Sequence, residues 1–339
     1  ARAVPAFGTF YLLDRQYKLP ALRWWLDTHA LHRDVGTSGW SVAGLALLFR
    51  SARAKTPEAP RLETVKTFAQ IGWAAAADRW PAPGLYVAAK TGDLSAHQSP
   101  RNMNALQVQV GEELMLREPT PPAHPAAEDA AGDEAPSGLQ APAHNTVTVA
   151  ERDQRIDAQG RIVVATARPG WRYLCCDGGQ ACGENARFIR QVVMAVDDTG
   201  DEAVGEAVFV LDELTLAVPE RADWYWHTPA RIELDAAGRR GTLEGRRGRL
   251  AFAFAAAVRL DAWTEDAPAG HGAAGRVLRV SAGVVGPARV LSVFARRPLD
   301  DGAMLRETDD GGAVAEAIGW RVRFAPARGR LELAGVERA

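Results

Sequence analysis

Cysteine is scarce in this chain: Cys175, Cys176 and Cys182 are the only three among 339 residues. So few, and odd in number, they cannot form a disulfide scaffold, and with no His or fourth Cys beside them they do not complete a tetrahedral metal set, so they read as structural. Charge of one sign is lacking as well. The 40 Lys and Arg against 42 Asp and Glu leave a net charge of −2, which gives no general pull toward nucleic acid or an anionic membrane surface. No uninterrupted apolar run reaches about 18 residues, so no helix long enough to span a bilayer is predicted. The opening has neither Met nor a basic segment followed by an apolar one, and the expectation is a fragment or processed chain from which any signal peptide has gone. What remains is ordinary for a globular protein, 47% hydrophobic and 24% charged. At roughly 100–200 residues per domain, the length predicts two domains or one large all-β domain.

The pattern changes along the chain. In residues 1–60 the periodicity is helical: Leu22, Trp25, Leu26 and His29 recur at three- and four-residue steps after Pro20, and Trp40, Ala43, Ala46 and Leu47 after Thr37-Ser38-Gly39. Two amphipathic helices joined by a turn would leave an apolar face exposed unless further helices preceded them. From about Thr64, short β-type runs alternate with Gly, Pro and Asp: Phe68–Trp73, Leu85–Ala89, Leu106–Val110, Thr146–Val149, Ile162–Ala165, Phe188–Val196, Ala207–Leu211, Trp224–His227, Leu250–Leu260, Val277–Val280, Val290–Ala295 and Trp320–Phe324. This predicts a mainly β fold over 61–339, a large antiparallel β-sandwich of two large sheets. Asp197–Asp201 reads as a hairpin connection. Residues 119–142, rich in Pro, Ala and acidic residues and without aromatics, read as a flexible loop. In Trp224-Tyr225-Trp226-His227 the period of two puts both Trp on one face and Tyr225 with His227 on the other. The Arg239-Arg240 and Arg246-Arg247-Arg249 cluster reads as solvated turns.

Gly84-Leu85-Tyr86-Val87-Ala88-Ala89-Lys90-Thr91-Gly92, then His97, Asn102-Met103-Asn104 and Gly111-Glu112-Glu113-Leu114, occur in an order that resembles the heparinase II/III-like polysaccharide lyases. His144-Asn145-Thr146-Val147-Thr148-Val149 resembles the next element of that family. The Arg-rich run from Arg187 to Met194 and Phe209-Val210-Leu211-Asp212-Glu213-Leu214 follow in the same order. The resemblance covers about Phe68 to Leu234, and it implies that Arg15 to Phe49 are the last helices of a truncated α/α toroid preceding the sandwich.

The resemblance implies β-elimination on an acidic, uronate-containing polysaccharide such as a glycosaminoglycan or alginate. A group must neutralise the uronate carboxylate, and a base and an acid must move protons near working pH. In the family an Asn, a His and a Tyr for this come from the toroid, at positions outside this sequence. The sandwich supplies a His facing the cleft and a His/Asp/His cluster that in some members holds zinc. Carried over, His144 has its motif intact and His97 lies in the corresponding loop, making both catalytic candidates. Asn102 and Asn104 are candidate substrate-binding residues. His144, Glu118 and His97 are the candidate zinc ligands. Departures accompany each: Arg117 takes the place of Glu118 if the alignment shifts by one, and the family's His-x-His-x-Asp reads His97-Gln98-Ser99-Pro100-Arg101-Asn102 here, with Ser99 or Pro100 in the second His position and Asn102 in that of the Asp. The three candidates His144, His97 and Glu118 are expected to converge in space. A periplasmic, cell-envelope or secreted location is also implied. The thinned His loop supports an alternative, a catalytically degenerate carbohydrate-binding or structural sandwich.

Overall fold

The computed structural model describes residues 7–30, 56–60, 62–95, 99–117, 139–267 and 275–339. The chain divides into two compact units, 1–63 and 64–339. In the first, α1 (Phe7–Tyr17) and α2 (Pro20–Trp25) are followed by one π-helical turn, Leu26–Ala30. Pro20 opens α2, where its missing N–H costs no hydrogen bond. Arg23 and Asp14 form a buried ion pair between α1 and α2, with Nε to Oδ2 at 2.7 Å. The periodicity beginning at Leu22 thus falls on α2 and the π turn, whereas α1 was not foreseen. The second expected helix, around Trp40–Leu47, and the expected loop residues 119–138 lie outside the described residues.

Among the described residues, the second unit holds three antiparallel sheets rather than two. A five-stranded meander comprises β1 (Val65–Phe68), β2 (Trp73–Ala77), β3 (Leu85–Lys90), β4 (Ala105–Val110) and β5 (Glu113–Leu116). The run expected as one strand at Phe68–Trp73 is instead the corner between β1 and β2. A 3-10 turn at Ala69–Ile71 ends on Gly72, whose φ of 66° suits a residue without a side chain.

The central ten-stranded sheet contains β6 (Val147–Val149), β7 (Arg161–Arg168), β8 (Trp171–Asp177), β9 (Ala186–Asp197), β10 (Val204–Thr228), β11 (Arg231–Leu234), β12 (Arg240–Glu244), β13 (Arg249–Ala256), β14 (Asp261–Asp266) and β15 (Arg276–Ala295). The hairpin expected at Asp197–Asp201 joins β9 to β10. A four-stranded sheet, β16 (Met304–Glu307), β17 (Ala313–Ala317), β18 (Trp320–Ala327) and β19 (Arg330–Arg338), closes the other side.

Two cores explain the third layer. Phe188, Val192, Met194, Val208, Val210, Trp224, Trp226 and Phe294 pack with Leu85, Val87, Leu106 and Val108 of the meander. The alternate residues Ile189, Val193, Phe209, Leu211, Leu291 and Val293 pack with Val322, Trp320 and Phe324 of the small sheet. A sheet covered on both faces needs continuous rather than alternating apolar runs, and β9, the first half of β10 and the second half of β15 have them.

Candidate functional site

The site is assembled around a guanidinium. Arg190 on β9 and Asp212 on β10 stand opposite each other and pair through Nε–Oδ1 at 2.7 Å and Nη2–Oδ2 at 2.8 Å, with side chains 0% and 1% exposed. Trp224 Nε1 donates to the same carboxylate at 2.9 Å. The remaining Arg190 nitrogen, Nη1, donates to two backbone carbonyls, Asn104 O and Asn145 O, each at 2.7 Å. Every nitrogen of the buried guanidinium is hydrogen-bonded, which offsets its desolvation. One side chain thereby joins the loop that carries Asn102 and Asn104 to the segment that carries His144 and Asn145.

Further bonds bind these segments together. Arg101 N donates to Leu139 O at 2.7 Å, and the Arg101 guanidinium pairs with Asp153 at 2.5 Å while the other Asp153 oxygen accepts from Ala141 N at 2.7 Å. Gln154 accepts from Met103 N at 2.8 Å and donates to Thr146 Oγ1 at 3.0 Å and Val147 O at 3.1 Å. Thr146 Oγ1 donates to Met103 O. Residues 139–142, expected as flexible loop, are held here, with Ala141–Ala143 forming a buried 3-10 turn that leads into His144.

His144 is buried at 2% exposure, its backbone N bonded to Ala141 O. Asn102 is buried, and its Oδ1 accepts from Lys90 Nζ, at the end of β3, at 2.5 Å. Asn104 is fully buried, adopts φ +56° and turns its amide nitrogen to Phe188 O at 3.3 Å. As placed, it shapes the loop and presents no surface to a ligand. Asn145 donates to Leu106 O at 2.8 Å and accepts from His227 N at 2.5 Å. His227 Nε2 donates to Pro142 O at 2.9 Å, and its carbonyl accepts from Arg117 N at 2.9 Å. His97 and Glu118 lie outside the described residues. Their described neighbours, Ser99–Arg101 and Arg117, lead into the bonds above.

Of the zinc set implied by the sequence, only His144 is among the described residues. Among the described residues no three His, Cys, Asp or Glu side chains form a metal-holding group. Asn102, in the position of an Asp, has its oxygen on an ammonium, and a fixed cation there disfavours a second one. His97 and Glu118, two of the three implied zinc ligands, lie outside the described residues.

The sequence reading did not single out Lys90, Asp153, Gln154, Arg190 or His227 as site residues. The signal for Arg190 was present, an Arg inside an otherwise apolar strand, and such a charge demands a buried partner. Asp153 and Gln154 lie in a polar turn with no distinguishing pattern.

These features describe a three-layer antiparallel β-sandwich with a polar cluster at one strand end. No family model and no curated protein matches the chain. Among solved structures, heparan sulfate lyase HepC from Pedobacter heparinus matches at TM-score 0.63 and 11% identity, over 93% of this chain and 48% of that one. A heparinase III structure with methylated lysines matches at 0.61 and 11%, over 97% and 47%. A further heparinase III structure matches at 0.60 and 10%, over 84% and 44%. The chain therefore has the fold of part of the heparinase III structures and spans about half the length of the structures it matches.

Proposed function

We propose that this chain contributes the β-sandwich of a polysaccharide lyase that cleaves uronate-containing chains by β-elimination. The observation that carries the proposal is the Arg190 node, which holds the Asn102 loop and the His144-Asn145-Thr146 strand head together, in a fold otherwise matched by heparan sulfate lyase and heparinase III structures. In the reaction a base removes the proton on the carbon beside the uronate carboxylate. The electron pair left behind forms a carbon–carbon double bond, the glycosidic C–O bond breaks, and an acid protonates the departing oxygen. The negative charge developing beside the carboxylate calls for a fixed cation or dipole. Lys90 with Asn102 supplies both in one hydrogen-bonded pair. His97 is assigned proton transfer, and the buried His144 the positioning of the loop and strand head. A periplasmic or secreted setting and an acidic polysaccharide partner belong to the same proposal; among the described residues, no helix is long and apolar enough to cross a membrane.

The burial of His144 and Asn104 favours a second reading, a carbohydrate-binding sandwich without turnover. Incubation of the protein, within its full natural chain, with heparan sulfate and with alginate separates the two. Appearance of the absorbance of the unsaturated uronate, lost in His97→Ala, supports the lyase. Binding without that absorbance supports the second reading, and neither binding nor product overturns both.

A further inference from the structure

The second half of β10 runs between β6 and β15, with β14 beyond β15, and the register defines what its outer face presents. Arg221 lies opposite Gly283, Asp223 opposite Thr148 and Ser281, Tyr225 opposite Arg279, and His227 opposite Val277. On β14, Asp261 lies opposite Ser281, Trp263 opposite Arg279 and Glu265 opposite Val277. Residues directly opposite share a face. The other face carries Trp224, Trp226, Leu278 and Val280 and is core. The outer face of a one-sided sheet should read polar, yet β14 places Trp263 there. Two guanidiniums flank its ring, Arg279 Cζ at 5.2 Å and Arg221 Cζ at 5.6 Å from the centroid.

Those guanidiniums are held rigidly. Asp223, fully buried, takes Arg221 Nε at 3.1 Å and Arg279 Nε at 3.2 Å, and Arg221 Nε also reaches Ser281 Oγ at 2.8 Å. Beside them opens a hollow of about 570 Å³ walled by Trp263, Arg221 and Asp261 and floored by Ser281, Ala282 and Gly283. An indole face, a small-residue floor and fixed donors and acceptors at the rim are what a pyranose ring requires: its C–H face packs on the aromatic and its hydroxyls bond the polar groups. Charge selects the kind of ring. Arg221 and Arg279 pair with Asp223, Glu151 and Glu265, and Arg259 pairs with Asp261 at 3.1 Å, so three guanidiniums face four carboxylates, which leaves one negative charge in excess and disfavours a uronate. The same face ends at His227, whose Nε2 meets Pro142 O in the candidate site. Asp223 lies four residues along β10 from His227, about 13 Å at roughly 3.3 Å per residue, a span that one extended polymer chain can bridge.

We propose that the Trp263–Gly283 hollow is a saccharide subsite that takes an uncharged hexose or hexosamine ring of the polymer, distinct from the cluster around His144. The idea rests on the lyase reading only for the polymer the ring belongs to. Its test is titration of the protein with a neutral hexosamine tetrasaccharide, followed by calorimetry and by tryptophan fluorescence. Trp263→Ala and Gly283→Gln are each expected to weaken binding at least tenfold. A Cβ at Gly283 meets nothing within 4 Å, so Gly283→Gln fills the hollow without disturbing the fold, even if Trp263→Ala unfolds. Wild-type binding that Gly283→Gln leaves unchanged, or no wild-type binding, overturns the subsite. Cleavage of uronate polysaccharide is read separately: product formation without hexosamine binding removes the subsite alone, and hexosamine binding without product removes the lyase reading alone.

Discussion

Gly72 and Thr91 meet backbone to backbone: Thr91 N donates to Gly72 O at 2.7 Å, and a Cβ on Gly72 would lie 1.8 Å from Thr91 O. This contact fixes the end of β3, and with it Lys90. Gly72→Ala meets both that clash and a left-handed φ of 66°. The expected outcome is a loss of more than about 3 kcal/mol, since left-handed strain alone is worth roughly 1–3 kcal/mol. Urea denaturation measures it, and a loss below about 1 kcal/mol would show that the corner relaxes freely.

The Arg190–Asp212 pair gives an asymmetric prediction. Arg190→Met leaves Asp212 charged and buried and frees the carbonyls of Asn104 and Asn145, at a cost of about 3–5 kcal/mol. The double variant Arg190→Met with Asp212→Leu removes both charges and is expected to recover part of that loss. A double variant no more stable than Arg190→Met would show that the carbonyl contacts, not the stranded carboxylate, dominate.

Glu213 gives a pH signature. Desolvation by burial raises its pKa above the ordinary glutamate value of 4.5, against the opposing hydrogen bond from Gln191 and the N–H of Leu331. A carboxyl whose folded pKa is raised binds its proton more tightly when folded, so its stabilising contribution is complete below the unfolded pKa and is lost as pH rises through the folded one. Glu213→Gln removes this dependence. Its stability relative to wild type should therefore rise from below pH 4.5 toward neutrality, as followed by thermal melts. A constant difference across that range would contradict the assignment.

The layers were only partly legible in the sequence. Runs such as Phe188–Val196 are uniformly apolar, and a period of two cannot show that such a run faces two different partners, so the four-stranded sheet went unread. β10 was read as two pieces because Pro219 and its polar neighbours interrupt it. The structure carries the strand through, with a register shift between Leu216 and Glu220 and with Val218 and Val285 exposed at the bend. The Trp224–His227 alternation was legible, and both Trp are core. In the site, the His144-Asn145-Thr146 motif was visible as a sequence feature. Its tie to Asn104 runs through Arg190, at 45 and 86 residues' separation, and no local pattern encodes that.

The three thiols should be silent in the folded protein. Burial pushes Cys175 up to about 11 and Cys182 up to about 12, and raises Cys176 as well. The thiolate is the reactive species, so iodoacetamide at about pH 8 is expected to label none of the three natively and all three in denaturant, as read by mass spectrometry. Rapid native labelling of Cys182 would place it at an accessible surface.

Lys90 separates stability from function. Its ammonium lies 2.5 Å from Asn102 Oδ1 at a half-buried position, where a hydrogen bond to a charged group contributes about 1.5–3 kcal/mol at most. Lys90→Gln retains a donor of nearly the same reach, so stability should fall by less than about 1 kcal/mol. A uronate carboxylate, however, is attracted by the charge and not by the bond. Removing it should weaken uronate polysaccharide binding or turnover at least tenfold, with the effect shrinking as salt screens the interaction. Unchanged affinity for the acidic polymer at low salt would mean that Lys90 only holds Asn102, and the carboxylate-neutralising role would have to pass to another cation.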